Sequence, residues 1–154
     1  MPLNDEVELL RRVPLFAAIP PAKLKLLAFT SDKIVYDAGQ VLFNQGDQGD
    51  AAYVLLSGTA DILIDSPAGP IRVETIEANA MVGEIAILCD AVRTATIKAT
   101  AHVEALRIRK EHFLRLLGES PEMAIEVMRV LADRLNHTTA ALTEARSKLQ
   151  QLAK

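Results

Sequence analysis

The sequence predicts a mainly β domain with helices at both ends. From Lys33 onward, short apolar stretches recur at near-regular spacing with turn residues between them, which is typical of a sandwich or barrel. On either side of this region the apolar residues recur at helical spacing instead. We therefore expect one domain over 1–154, with N-terminal helices in 1–31, a β region in 32–109 and C-terminal helices in 110–154.

The N-terminal helices are predicted by clustered leucines and by a proline pair. Leu9, Leu10 and Val13 group apolar side chains in the first helix. Pro20-Pro21 then opens a second short helix, because proline is already shaped for the first helical position.

The strands are predicted by alternation and by the turns that separate them. Asp37–Gln40 and Gln45–Asp50 are turns, in which glycine adopts a positive φ without steric cost. Polar residues alternate with apolar ones in Ile71–Thr75, which predicts a half-buried strand, and the same alternation returns in Val103–Arg109.

The C-terminal third is predicted to hold two helices. The first runs from Lys110 to Leu117 and is ended by Gly118, and the second begins with Ser120 as N-cap and Pro121 in the first turn. The second helix carries an a/d heptad pattern, which predicts a parallel homodimer through this helix. Its a positions are Met128, Leu135, Leu142 and Leu149, and its d positions are Leu131, Thr138, Ala145 and Leu152.

Composition excludes several classes of protein. A net charge of -3 argues against a general nucleic-acid surface, which is normally basic. The apolar stretches fall far short of the roughly 20 residues of a membrane span. The N-terminus shows no signal peptide, and Cys89 is the sole cysteine, which fits a reducing compartment. We expect a cytoplasmic protein that binds neither DNA nor membranes directly.

The segment 82–96 carries the chemistry. It predicts one helical turn from about Glu84 to Cys89, followed by a strand that opens at Arg93. Gly83 allows a tight turn and a close approach of backbone to ligand, and the N–H groups of the helix start favour an anion. Arg93 can place its planar fork on two phosphate oxygens, while Glu84 can accept a hydrogen bond from a sugar hydroxyl. The alternative is a surface ion pair between these two residues.

In this segment the sequence resembles the cyclic-nucleotide-binding family, the module of catabolite activator proteins, protein kinase A regulatory subunits and cyclic-nucleotide-gated channels. The family's phosphate-binding cassette has the form G-E-x-A-x-L, a short link, then R-[TSA]-A-[TS]. The chain matches it with Gly83-Glu84-Ile85-Ala86-Ile87-Leu88 and with Arg93-Thr94-Ala95-Thr96. Leu15-Phe16, the Gly39 and Gly46 turns and Tyr53–Gly58 also follow the family's order and spacing, so the resemblance covers essentially the whole chain.

The resemblance implies an eight-stranded jelly-roll β-barrel between the helices. It also implies that Glu84 takes the ribose 2'-OH and that Arg93 takes the cyclic phosphate. Backbone groups of Gly83 and of residues 85–86, together with the Thr94 hydroxyl, complete the shell, and Ala95 lies within the same motif. For Thr94 the alternative is a plain strand-forming residue.

The long helix resembles that of catabolite activator proteins, in which it covers the purine base. Thr138 and Thr139 are candidates to accept a hydrogen bond from the adenine amino group, one from each chain of a dimer, and Arg134 could reach Glu84. This favours cyclic AMP as the ligand, although Thr94 is compatible with cyclic GMP. The family's activators carry a second arginine where this chain has Asp133, and the alternative role of Thr138 is a polar interruption of the heptad seam.

Three functions follow from these residues. The first is a non-catalytic sensor that transmits nucleotide binding through its C-terminal helix, with no metal or other cofactor. The second is an enzyme on a jelly-roll barrel, such as a cupin, but the His and carboxylate ligands or the nucleophile–base pair that it needs are missing.

The third is a DNA-binding regulator, whose helix-turn-helix would follow the long helix. The chain is then either a single-domain member, which Met1 favours, or the ligand-binding portion of a larger transcription regulator or ion channel. A lone cysteine excludes an iron–sulfur relative.

Overall fold

The computed structural model describes residues 3–17, 19–89 and 91–153, without the side chains of residues 3–5 and 85. The helices are α1 (Leu3–Arg11), a 3-10 helix (Pro14–Phe16), α2 (Pro21–Thr30), α3 (Glu84–Leu88), α4 (Lys110–Glu119) and α5 (Pro121–Leu152). The strands are β1 (Asp32–Tyr36), β2 (Val41–Phe43), β3 (Ala51–Ser57), β4 (Ala60–Ile64), β5 (Ile71–Ile76), β6 (Met81–Val82), β7 (Thr96–Ala99) and β8 (Val103–Arg109).

The eight strands form two antiparallel sheets of four, with orders β1-β8-β3-β6 and β2-β7-β4-β5. The mainly β class with flanking helices is therefore confirmed, but the closed barrel is wrong: no ladder joins the two sheets within the described ranges. Closure requires the edge strands to pair with each other. The edge strand β6 has only two residues, because the chain turns at Gly83 into α3.

Two hydrophobic clusters hold the fold together. One fills the space between the sheets and includes Tyr53, Leu55 and Ile97. The other lies between the opposite face of the first sheet and the helices, where Phe16 and Phe113 are fully buried. Strand β3 is buried on both faces because it contributes alternate side chains to the two clusters.

Helix α5 begins as the sequence predicts, whereas α4 ends differently. The Ser120 side chain accepts a hydrogen bond from the backbone N–H of Met123 at 3.3 Å, and Pro121 lies in the first turn. Gly118 does not end α4, which continues to Glu119. The φ of Gly118 is not positive, so it does not form the left-handed cap that ends many helices.

Two strand predictions are also corrected. Strand β5 is exposed along Ile71–Thr75 and is not half-buried, because it is the edge of its sheet. The strand predicted to open at Arg93 begins only at Thr96. The backbone of Arg93 is instead bonded to the loop between β2 and β3: its N–H donates to Asp47 O at 2.7 Å, and its O accepts from Gly46 N–H at 2.9 Å.

The apolar stripe of α5 is exposed along most of its length. Leu135, Leu142, Leu149 and Leu152 are each more than half exposed, as is Met128 in the first half of the helix. Despite this stripe, none of the helices in the described part of the chain is both long and apolar enough for a membrane span.

Candidate ligand-binding site

A cavity of about 650 Å³ lies between the second sheet, α3 and α5. This volume is within the range of about 300–1,000 Å³ that is usual for small-molecule sites. The cavity is lined by Phe43, Ile62, Ile64, Val73, Glu74, Val82, Gly83, Glu84, Ala86, Arg93, Thr94, Ala95, Ile97, Arg134, His137, Thr138 and Ala141. It therefore combines an apolar wall from the strands with two arginines and two carboxylates.

Arg93 is a buried cation in the wall of this cavity, with only 2% of the residue exposed. Its Nη1 donates to Gly83 O at 2.9 Å and its Nη2 donates to Ala51 O at 2.6 Å. The guanidinium carbon lies 4.1 Å from the centre of the Phe43 ring, a cation–π contact that stabilises the charge away from water. Backbone carbonyls and an aromatic face thus hold the guanidinium in one orientation.

The charge of Arg93 is incompletely matched by its surroundings. Burial lowers the pKa of the Arg93 guanidinium, and the nearby Tyr53 and Asp50 partly offset this effect. The only carboxylate that pairs with it among the described residues is Asp50, at 3.5 Å. Its buried Nε atom has no hydrogen-bond partner in the described structure. Buried polar groups are almost always paired, so this donor marks a position where an acceptor is expected.

Gly83 adopts a backbone conformation that favours glycine, and it also lies against the Arg93 side chain. Its φ is +86°, in the left-handed region. A Cβ built on Gly83 would lie 2.5 Å from Nη1 of Arg93, closer than non-bonded atoms approach. The glycine therefore allows the chain to turn into α3 and leaves room for the arginine beside the backbone.

Glu84 is the first residue of α3 and is 4% exposed. Its Oε1 lies 2.6 Å from Nη1 of Arg134, so this ion pair joins the start of α3 to α5, as the sequence predicts. The alternative of a surface pair between Glu84 and Arg93 does not hold, because both side chains are buried and each pairs with a different residue. A carboxylate accepts several hydrogen bonds, so Glu84 can hold Arg134 and a ligand hydroxyl together.

The other predicted site residues divide into those in the cavity wall and those outside it. Thr94, Ala95 and Ala86 line the cavity, as does Thr138 of α5. Thr139 is exposed and lies outside the lining. The side chain of Ile85 lies outside the described residues.

Sequence reasoning missed much of the apolar wall and one histidine. Phe43 lies 50 positions before Arg93, so no local pattern connects the two residues. The histidine is His137, whose Nδ1 lies 2.7 Å from Asp133 O and which also lines the cavity. Its position three residues after Arg134 and next to Thr138 was the available signal. The described residues contain no group of three or more potential metal ligands.

The geometry is that of a ligand-binding domain, and comparison with known proteins gives its family. Residues 33–120 match the cyclic nucleotide-binding domain family. The chain belongs to this family, whose members serve as regulatory domains in protein kinase subunits and in transcriptional regulators.

Three relatives illustrate the similarity. A cAMP-dependent protein kinase regulatory subunit from Aspergillus niger is 36% identical over 109 residues, which are 71% of this chain and 26% of the subunit. A CRP-like cAMP-activated global transcriptional regulator from Mycobacterium tuberculosis H37Rv is 27% identical over 89% of the chain and 62% of the regulator. The sensor domain of the transcriptional regulator DNR from Pseudomonas aeruginosa has a TM-score of 0.81 and 26% identity, covering 90% of this chain and 93% of that domain. The chain thus spans about a quarter of the kinase subunit and under two thirds of the CRP-like regulator.

Proposed function

We propose that this chain binds a 3',5'-cyclic nucleotide, with cyclic AMP preferred over cyclic GMP, and acts as a non-catalytic sensor. The observation that carries the proposal is the buried Arg93 in the same cavity wall as Glu84, with an Nε that has no hydrogen-bond partner among the described residues. A ligand whose phosphate is closed onto its own ribose needs a cationic donor for the phosphate beside a hydrogen-bond acceptor for the ribose hydroxyl.

Arg93 takes the cyclic phosphate in this proposal. Phe43 and the carbonyl of Ala51 hold its guanidinium in place, so little orientational freedom is lost when the phosphate arrives. The N–H groups at the start of α3 and the hydroxyl of Thr94 supply further donors to the same phosphate. Charge-assisted hydrogen bonds of this type are roughly twice as strong as neutral ones.

Glu84 takes the ribose 2'-OH, and the apolar wall receives the base. Arg134 leaves one oxygen of the Glu84 carboxylate for the ligand, since the pair is formed through Oε1. Ile62, Val73 and Ile97 supply apolar surface for a purine ring. Thr138 reaches the cavity from α5, where its hydroxyl can accept from an adenine amino group.

The signal passes through α5. This helix touches the ligand site through Arg134 and Thr138, while its distal leucines are exposed. A ligand that contacts both α3 and α5 favours the arrangement in which those contacts form, so binding shifts the position of the helix. We propose that the exposed stripe pairs with a second copy of the chain, which brings the partner's Thr139 to the base.

The test is equilibrium dialysis against cyclic AMP and its 2'-deoxy analogue, with the wild type and a Glu84→Ala variant. We expect the wild type to bind cyclic AMP at micromolar concentration. Glu84→Ala loses affinity for cyclic AMP but little for the 2'-deoxy analogue, because that analogue lacks the hydroxyl that Glu84 holds. Arg134→Ala is the control for the loss of the ion pair itself, since it removes the partner of Glu84 and keeps the hydroxyl acceptor. Absence of bound cyclic AMP at millimolar concentration contradicts the proposal, and equal losses for both ligands contradict the ribose assignment.

A further inference from the structure

Asp50 lies between two arginines at the end of the loop that joins β2 to β3. Its Oδ1 is 3.5 Å from Nη2 of Arg93, and its Oδ2 is 3.2 Å from Nη2 of Arg107. The Asp50 side chain is 62% exposed, whereas that of Arg93 is 1% exposed. The exposed carboxylate can therefore shift between its two partners more readily than the buried Arg93 can move.

Arg107 is fixed by the register of the central strand β8. It lies across from Tyr53 of β3 on one side and from Asp32 of β1 on the other. Its Nη1 is 3.9 Å from Asp32 Oδ2, and its Nε is buried without a hydrogen-bond partner among the described residues. Arg107 is thus a cation on a central strand of its sheet, 3.2 Å from the Asp50 carboxylate.

The negative charge of Asp50 opposes an anionic ligand at Arg93. Asp50 competes for Nη2 of Arg93, and its charge also repels an incoming phosphate. A second cation that neutralises Asp50 weakens both effects. Arg107 supplies such a cation, because its Nη2 forms an ion pair with Asp50 at 3.2 Å.

We propose that Arg107 is a positioning residue for ligand binding: it holds Asp50 away from Arg93 and so leaves the Arg93 guanidinium available to a phosphate. This inference rests on the proposed function of Arg93. Arg107 does not line the cavity, and it acts only through Asp50.

The test is a double-mutant cycle in cyclic AMP affinity, measured by titration calorimetry. Arg107→Gln is expected to weaken binding about three- to fivefold, within the range for a partly exposed ion pair. Adding Asp50→Asn to that variant restores the affinity to within twofold of Asp50→Asn alone, because the uncompensated charge is gone. Arg107→Lys, which keeps the charge, stays within twofold of the wild type. The loss in Arg107→Gln shrinks when the ionic strength is raised from about 0.05 M to about 0.5 M.

Arg109→Gln is the matched control. Arg109 lies two positions further along the same strand and pairs with Asp32 at 3.3 Å. Arg109→Gln therefore removes one positive charge, as Arg107→Gln does, but leaves the ion pairs of Asp50 in place. We expect it to leave the affinity unchanged. Equal losses for the two glutamine variants, or a double variant that stays as weak as Arg107→Gln, overturn the proposal.

A second measurement needs no nucleotide. In ligand-free protein, the Arg93 Nε–H resonance is expected to shift in Arg107→Gln and not in Arg109→Gln, because Asp50 then moves toward Arg93. If the wild type binds no cyclic nucleotide, the proposed function fails, and this resonance still decides whether Arg107 controls the Asp50–Arg93 pair. An unchanged resonance in Arg107→Gln contradicts that control.

Discussion

Arg93 combines burial with positive charge, and each of its neighbours reduces the cost of that combination. A buried charge is expensive unless it is paired and hydrogen-bonded. Two carbonyls accept from the guanidinium, the Phe43 ring covers its face, and Asp50 supplies the opposite charge. The residue types of the segment 82–96 predict the phosphate role of Arg93, but they carry no information on Phe43 or Asp50, which come from a distant loop and strand.

Gly83→Ala is expected to weaken cyclic AMP binding more than tenfold, because its methyl group displaces the Arg93 guanidinium. It also lowers the free energy of unfolding by about 1–2 kcal/mol, the cost of a left-handed backbone for a residue with a Cβ. Gly39→Ala is the matched control: Gly39 has a φ of +91°, and its Cβ would meet no atom within 4 Å. Titration calorimetry and chemical denaturation separate the two effects. If both variants lose affinity equally, the close approach to Arg93 is not what Gly83 provides.

At the scale of secondary-structure elements, helix α5 connects the ligand site to the rest of the molecule. Its start is fixed by the Ser120 cap, its first quarter packs on the core through Met123 and Val127, and the part from Ala132 onward is exposed. The cap and the helix follow local rules, so the sequence predicts them correctly. The end of α4 was predicted wrongly, because a glycine near a helix terminus ends the helix only when it adopts a positive φ, and Gly118 does not.

The base-reading role of α5 predicts different effects for its two adjacent threonines. Thr138→Ala is expected to reduce the affinity for cyclic AMP and to leave that for cyclic GMP nearly unchanged, because guanine offers a carbonyl where adenine offers an amino group. Thr139→Ala has this effect only if a second chain brings its threonine to the base, since Thr139 lies outside the cavity wall of its own chain. Competition binding with both nucleotides measures the difference. Loss of affinity for both nucleotides, or for neither, shows that the helix does not discriminate between the bases.

At the scale of the whole molecule, strand pairing decides how the strands are arranged in sheets, and the sequence alone leaves this arrangement undetermined. Spacing predicts many short strands, and the described part of the chain has eight. Whether they close into a barrel depends on hydrogen bonds between edge strands that are far apart in the sequence, and alternation says nothing about those bonds. The exposure of β5 follows from the same edge position: it lacks a neighbour on one side in its sheet, so its side chains are less covered than their pattern indicates.

The exposed stripe of α5 predicts a parallel homodimer through this helix. Leucine occupies three of the four a positions, and a second copy of the helix would bury them. Sedimentation at tens of micromolar with cyclic AMP present is expected to show a dimer. Leu135→Glu together with Leu142→Glu gives a monomer, whereas the control pair Ala140→Glu and Ser147→Glu adds the same charges on the opposite face and leaves the dimer intact. A monomeric wild type contradicts the prediction.

The most direct test of the central claim, that Arg93 recognises a cyclic phosphate, is titration calorimetry of the wild type and Arg93→Lys with cyclic AMP and with 5'-AMP. The wild type is expected to bind cyclic AMP much more tightly than 5'-AMP, because the linear monophosphate carries more charge and does not hold its phosphate against the ribose. Arg93→Lys keeps the charge but loses the planar fork, so it is expected to bind cyclic AMP more than tenfold more weakly. A wild type that binds both ligands equally, or a lysine variant that binds cyclic AMP as tightly as the wild type, would contradict the assignment of Arg93.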